Sequence, residues 1–250
     1  MDDNYIPNLT KLARENVQFT DKKDGKVGGP VCLEATAYTA GGLVAQTSAI
    51  NLKVMNSGAV SDSFLPNLTA LGDILNKQGY NQMFLCGSDG DFAGRDAYFK
   101  THKDYQIEDY KAAIKEGDIP KDYKVYWGHE DKVLYERAKK NLKKLSKEGK
   151  PFNLTMLTVD THFPNGYICD LCENKYDTTY GNAVACADRQ VYDFVQWIKK
   201  QDFYEDTTII IAGDHTSMVD TGSKFWKSLS NDYQLSLIHI SEPTRPRLIS

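Results

Sequence analysis

Asp214 and His215 stand directly after the run Thr-Thr-Ile-Ile-Ile-Ala-Gly that occupies residues 207–213. A hard carboxylate beside an imidazole is a donor pair suited to a divalent cation. The β-branched run reads as a strand buried on both faces, and Gly213 as the point where the backbone turns sharply. Ligands of open α/β sheets gather just beyond the carboxyl ends of strands, so the pair is placed for chemistry. Taken alone, it fits equally well a loop cap and a polar rim residue.

A second candidate is the hydroxyl of Thr39, at the entrance to a run of small and apolar residues ending at Leu52. The pattern predicts a helix with Thr39 as its N-cap. The same geometry suits phosphoryl chemistry: unbonded N–H groups at a helix start stabilise an anion, and a hydroxyl held there beside a metal can ionise and attack. Two further loops follow predicted strands. Gly87-Ser-Asp-Gly-Asp-Phe-Ala-Gly-Arg-Asp contains Asp89 and Asp91, which suit turns or a polyol, and Arg95, whose planar fork suits a phosphate or vicinal hydroxyls. Asp160-Thr-His-Phe-Pro presents His162, which as a bare residue reads as a satisfied loop histidine.

These loops need a scaffold, and the chain supplies alternating patterns. Residues 6–16, 65–79, 130–147 and a stretch within 176–202 carry apolar side chains at helical spacing, while residues 81–86 and 153–159 read as strands. Residues 21–29 form a charged, Gly-rich loop, and residues 105–127 show no clear period and read as a partly helical excursion. The lysines of the 130–147 helix read as a solvated face. No internal repeat or interior domain boundary is visible.

A chain of 250 residues, 41% hydrophobic and 26% charged, suits one globular α/β domain. A net charge of −4 argues against a nucleic-acid partner, and no apolar run approaches bilayer length. The acidic start does not read as a signal peptide. Among five cysteines, Cys169, Cys172 and Cys186 cluster in sequence. They read as one disulfide, as thiols, or as a zinc site one ligand short of four.

Residues 235–245, Leu-Ser-Leu-Ile-His-Ile-Ser-Glu-Pro-Thr-Arg, resemble the translation of a common sequencing-library adapter. We therefore take residues 1–234 as a partial catalytic domain and residues 235–250 as a non-native tail, in which His239 has no chemical role.

Four motifs in order, Thr39-Ala-Gly-Gly-Leu-Val-Ala, Phe92-Ala-Gly-Arg-Asp, Thr158-Val-Asp-Thr-His-Phe-Pro and Gly213-Asp-His, resemble the phosphoglycerol transferase branch of the sulfatase-like alkaline phosphatase superfamily. That branch includes lipoteichoic acid synthases and transferases that decorate periplasmic glucans. The resemblance implies a three-layer α/β/α sandwich around a mixed, mostly parallel sheet, incomplete here at both ends. It implies one divalent metal, commonly manganese, with magnesium or zinc as alternatives. Thr39 would be nucleophile and metal ligand, Asp214 and His215 further ligands, and His162, Arg95 and, less closely by loop spacing, Asp89 the holders of the phosphoglycerol. The donor would be an anionic, phosphatidylglycerol-like lipid and the acceptor a polyol or glycan, at the outer face of the cytoplasmic membrane or in the cell envelope. Membrane contact would come through segments missing from this chain.

The family's first metal ligand is a glutamate on a strand preceding everything here, so the chain reads as an interior fragment, expected to be poorly soluble and inactive alone. A disulfide among the three clustered cysteines follows from the family's extracellular setting. Two rivals remain. A hydrolase of the same superfamily would transfer to water; the sulfatase setting Cys/Ser-x-Pro-x-Arg is not matched at Cys32-Leu-Glu-Ala-Thr. A non-catalytic head-group-binding domain would not need the nucleophile. If the site is right, the Thr39 hydroxyl, an Asp214 oxygen and a His215 nitrogen converge about 2 to 2.5 Å from one point.

Overall fold

The run Asn-Gln-Met-Phe-Leu-Cys forms strand β1 (Asn81–Cys86), in which Met83, Phe84, Leu85 and Cys86 are wholly buried. The computed structural model describes residues 5–19, 27, 33, 36–52, 63–229 and the backbone of 242–243. Cys32, His239, most of the 21–29 loop and all of the tail except residues 242–243 lie outside the described residues. The chain divides into two compact units, residues 43–160, and residues 1–42 with 161–250.

In the first of these, β1 is flanked by β2 (Gln106–Glu108) and β3 (Phe152–Leu157), both parallel to it, in the order β2-β1-β3. Met83 lies opposite Gln106 on one side and Leu154 on the other. Parallel neighbours require crossovers, which helices α4 (Arg95–Thr101), α5 (Tyr110–Lys115) and α6 (Asp131–Leu145) supply. Successive side chains of β1 point to opposite faces. Gln82 and Phe84 share a face; Gln82 Nε2 donates to Gly72 O of α3 (Leu71–Lys77), and Phe84 stacks on Phe99 of α4 at 4.1 Å. Helix α6 packs on β1 and β3 and carries the buried Arg137, which bonds Glu108 Oε2 at 2.6 Å and Asp118 Oδ2 at 2.9 Å.

The other unit holds α1 (Pro7–Glu15), the start of α2 (Thr39–Ser48), α7 (Thr179–Ile198) and α8 (Lys224–Ser228). Helix α1 lacks a side-chain cap of its own. Its first N–H groups are instead taken by Asp188 of α7, whose carboxylate accepts from Leu9 N at 2.7 Å, Asn8 N at 3.1 Å and Asn8 Nδ2 at 2.7 Å. Tyr5, Tyr180, Val184, Val219, Phe225 and Leu229 form the local core.

The α/β class and the parallel sheet are as the sequence implied. Two local expectations are corrected. The β-branched run before Asp214 is not buried on both faces: Ile209 and Ile211 are half-buried, but Ile210 is 71% exposed. Among the described residues only Ile210–Ile211 (β4) of this run is laddered, antiparallel to Glu242–Pro243 (β5). The helix expected over residues 65–79 forms only at Leu71–Lys77, since Leu65 precedes a proline, has φ +53 and cannot sit in a helix. Residues 105–127, aperiodic in sequence, contribute β2 and α5.

Candidate active site

Helix α2 brings Thr39 to Asp214 and His215. Gly42 N–H donates to Tyr38 O at 2.9 Å, so Tyr38 takes the cap position and Thr39 opens the first turn. This corrects the N-cap expectation for Thr39. Its Oγ1 lies 3.5 Å from His215 Nε2, and that nitrogen lies 3.4 Å from Asp214 Oδ2. Both separations are long for hydrogen bonds. They match the spacing of two ligands on one tetrahedral ion, about 3.4 Å apart for bonds of about 2.1 Å.

The supports agree with that use. His215 is buried, and its Nδ1 lies 2.8 Å from Thr216 O. Only a protonated Nδ1 can donate there, which leaves the lone pair on Nε2, facing Thr39 and Asp214. Asp214 turns back on the chain through Oδ1, which accepts from His215 N at 3.0 Å. Helix α2 comes so close that a Cβ built on Gly42 would overlap the Asp214 carbonyl oxygen and lie 2.8 Å from its carbonyl carbon. Gly42 is therefore the residue that permits the helix end and the ligand loop to meet.

His162 lies in the same unit. Its Nδ1 is 2.7 Å from Phe163 O, and its ring stacks on Phe163 at 4.9 Å. The peptide bond Phe163–Pro164 is cis. Tyr180, on α7, donates to Thr161 O at 2.8 Å and lies 3.3 Å from Ser217 Oγ. One buried phenol thus ties the His162 loop to the loop that follows His215. Neither Tyr180 nor the purpose of Gly42 was visible in the sequence, although a glycine inside a helical pattern signals close approach.

Arg95 and Asp89 lie in the other unit, in the loop after β1. Arg95 is buried, and its fork is turned onto its own loop: Nε donates to Phe92 O at 3.0 Å, and Nη2 to Asp89 O at 2.6 Å and Ser88 Oγ at 3.1 Å. Asp89 Oδ1 faces Lys111 Nζ at 3.6 Å. The structure therefore shows Arg95 shaping the loop.

The carboxyl end of β3 holds a carboxyl pair that sequence reasoning missed. Asp131, fully buried, accepts from Val159 N at 2.7 Å and Asp160 N at 3.1 Å, fixing the chain two residues before His162. Both carboxyl oxygens of Asp160 are buried without a hydrogen-bond partner among the described residues. Burial, then the neighbouring Asp131 charge, pushes Asp160 up to about 8; burial raises Asp131 as well. Acids raised in the folded state keep protons that the unfolded chain has released. Their contribution to stability is full below the ordinary carboxylate range and is lost as pH climbs toward about 8. Urea unfolding should show wild type losing on the order of 2 kcal/mol more than Asp160→Asn between about pH 5 and about pH 8. Parallel curves for the two proteins would contradict this assignment.

The chain belongs to the Sulfatase family, whose profile covers residues 2–249. It is 32% identical over 256 residues to phosphoglycerol transferase I of Salmonella choleraesuis (strain SC-B67), covering 98% of this chain and 32% of that relative. The chain thus spans about a third of the length of the curated relatives it matches. In fold it is similar to the lipoteichoic acid synthase LtaP of Listeria monocytogenes, at TM-score 0.71 and 18% identity, covering 98% of this chain and 60% of that one. It is also similar to the Streptococcus pyogenes phosphoglycerol transferase GacH, solved with sn-glycerol-1-phosphate, at TM-score 0.55 and 13% identity, covering 96% and 60%.

Proposed function

We propose that this chain carries the nucleophile and part of the metal site of a phosphoglycerol transferase that uses a covalent threonine intermediate. The observation that supports this most is the approach of His215 Nε2 to Thr39 Oγ1 and to Asp214 Oδ2, each at an ion-sharing distance, beside the first turn of α2. Thr39, Asp214 and His215 would hold one divalent cation, manganese before magnesium or zinc. When bound, it would supply positive charge that lowers the hydroxyl pKa and offsets charge on the phosphoryl oxygens. Among the described residues these three donors gather; such ions take four or more ligands, and we infer that a further anionic ligand beyond the described residues completes the working site.

Thr39 Oγ1 attacks the phosphorus of a phosphatidylglycerol-like lipid. A bond from Thr39 to phosphorus forms, the bond from phosphorus to the diacylglycerol oxygen breaks, and the proton lost by Thr39 is balanced by one gained by diacylglycerol. An acceptor hydroxyl of a polyol or glycan then reverses the sequence, taking the phosphoglycerol and returning a proton to Thr39. The N–H groups at the start of α2 face the transferred anion. His162, whose Nδ1 is engaged by Phe163 O, would turn Nε2 to the phosphoglycerol; Arg95 would shape the loop that presents Asp89 to its glycerol. Such chemistry suits the outer face of the cytoplasmic membrane, and the Cys172–Cys186 disulfide suits an oxidising compartment.

The test is made on the parent protein with labelled phosphatidylglycerol and manganese. Transfer is expected to release diacylglycerol and place the label on an added glucan or polyol. Label appearing as glycerol phosphate whatever acceptor is present would establish a hydrolase. Head-group binding without any diacylglycerol release would establish a binding domain.

A further inference from the structure

Three aromatic side chains that the proposed chemistry does not use stand exposed together beyond the carboxyl end of β1. Phe92 is 56% exposed and Trp127 40%, with ring centroids 5.8 Å apart, and Tyr126 extends the row at 6.3 Å from Trp127. Each sits on a fixed loop. Residues 125–128 close a turn through two hydrogen bonds, Val125 N–H to Gly128 O at 2.8 Å and Gly128 N–H to Val125 O at 3.0 Å, with Tyr126 at φ +54. That turn is pinned to the loop after β1: His129 N–H donates to Gly87 O at 2.8 Å, and a Cβ built on Gly128 would overlap the same oxygen. Phe92 precedes Ala93, whose φ is +56, and its ring is backed by the Arg95 guanidinium at 5.4 Å. Left-handed backbone at residues other than glycine is costly and persists where the surroundings impose it, so both loops are held in the shape that presents these rings.

We propose that Phe92, Tyr126 and Trp127 form a stacking platform for a pyranose ring of a glycan acceptor, a subsite that rests on the transferase reading above for its place in the reaction. A pyranose with equatorial hydroxyls carries axial C–H bonds on both faces. These bonds lie against the negative face of an aromatic ring, while the hydroxyls point outward around the edge. The edge of the platform meets them with polar groups. Asp91, next to Phe92, and Lys111 are both exposed and pair at 2.8 Å, offering an acceptor and a donor to sugar hydroxyls. An open-chain polyol such as glycerol has no flat face to lay on the rings, so the platform favours a sugar over it.

An exposed aromatic cluster marks a surface that something covers, and a lipid surface is the other candidate. Membrane-docking patches flank their aromatic rings with Lys and Arg that attract anionic head groups. Beside Phe92 the exposed lysine is already neutralised, since Lys111 faces Asp91 at 2.8 Å and Asp89 at 3.6 Å. A preset row of rings with a mixed, neutralised edge suits an uncharged sugar.

The test takes the parent protein with cellotetraose, a chain of neutral β-linked glucose rings, as the probe. Saturation-transfer NMR is expected to mark its axial ring protons more strongly than its exocyclic methylene protons. Binding is expected to weaken about tenfold in Trp127→Ala and in Phe92→Ala, and to return in Trp127→Phe. In the transfer assay, the kcat/KM preference for cellotetraose over glycerol is expected to fall by a similar factor in Trp127→Ala. No saturation transfer to cellotetraose with the wild-type protein overturns the proposal whether or not any variant folds, as does saturation that both alanine variants leave intact. Vesicles of phosphatidylglycerol that bind wild type but not Trp127→Ala, with cellotetraose silent, overturn it in favour of a lipid surface. Sugar binding of the expected kind in a protein that releases no diacylglycerol supports the platform and removes the transferase reading. Transfer to glycerol without any sugar binding removes the platform alone.

Discussion

Gly42→Ala is expected to weaken manganese binding by about a hundredfold. Alanine ordinarily gains about 1 kcal/mol over glycine inside a helix, so the simple expectation for this change is a slightly more stable protein. The structure reverses it, because the added methyl would occupy the space of the Asp214 backbone carbonyl. Backbone cannot swing aside as a side-chain tip can. Either the start of α2 retreats or the loop of Asp214 and His215 does, and Thr39 then parts from His215. Calorimetric titration of manganese into wild type and variant checks this. A variant that gains stability and binds manganese as wild type does would show that α2 does not need to come this close.

Thr39→Ala is expected to lower transfer in the parent protein by about ten-thousandfold, while Thr39→Ser keeps activity within about a hundredfold. The hydroxyl is the group that becomes bonded to phosphorus, so its loss removes the covalent route itself. Metal binding is expected to suffer far less, since Asp214 and His215 remain. That separation distinguishes a nucleophile from a residue that only helps to hold an ion. Equal losses of transfer and of metal affinity, or an alanine variant with near wild-type turnover, would remove Thr39 from the nucleophile's role.

Some of this arrangement was legible in the sequence because it is local. Thr39 before a small-residue helix, and Asp214-His215 after a β-branched run, are marked by position within a single element. Where the argument needed partners distant in sequence, the sequence was silent. Tyr180 reads as one more aromatic on an amphipathic helix, yet its hydroxyl bonds Thr161, nineteen residues away, and reaches Ser217. Asp131 reads as the acidic first turn of a lysine-rich helix, yet it fixes the end of β3. The β-branched run shows the opposite failure. An unbroken Ile-Ile-Ile cannot report how many of its faces are covered, and Ile210 proves largely exposed. Arg95 reads in the sequence as a planar fork suited to a phosphate, and only the folded loop reveals that Phe92, Ser88 and Asp89 accept from it.

The central claim is that Thr39, Asp214 and His215 share one divalent ion, and anomalous diffraction from manganese-soaked crystals of the parent protein tests it most directly. The expected result is one anomalous peak within coordination distance of Thr39 Oγ1, an Asp214 carboxylate oxygen and His215 Nε2, absent from His215→Ala crystals. A peak at the Asp131 and Asp160 carboxyls or at the Cys169 cluster, with none at Thr39, would contradict it.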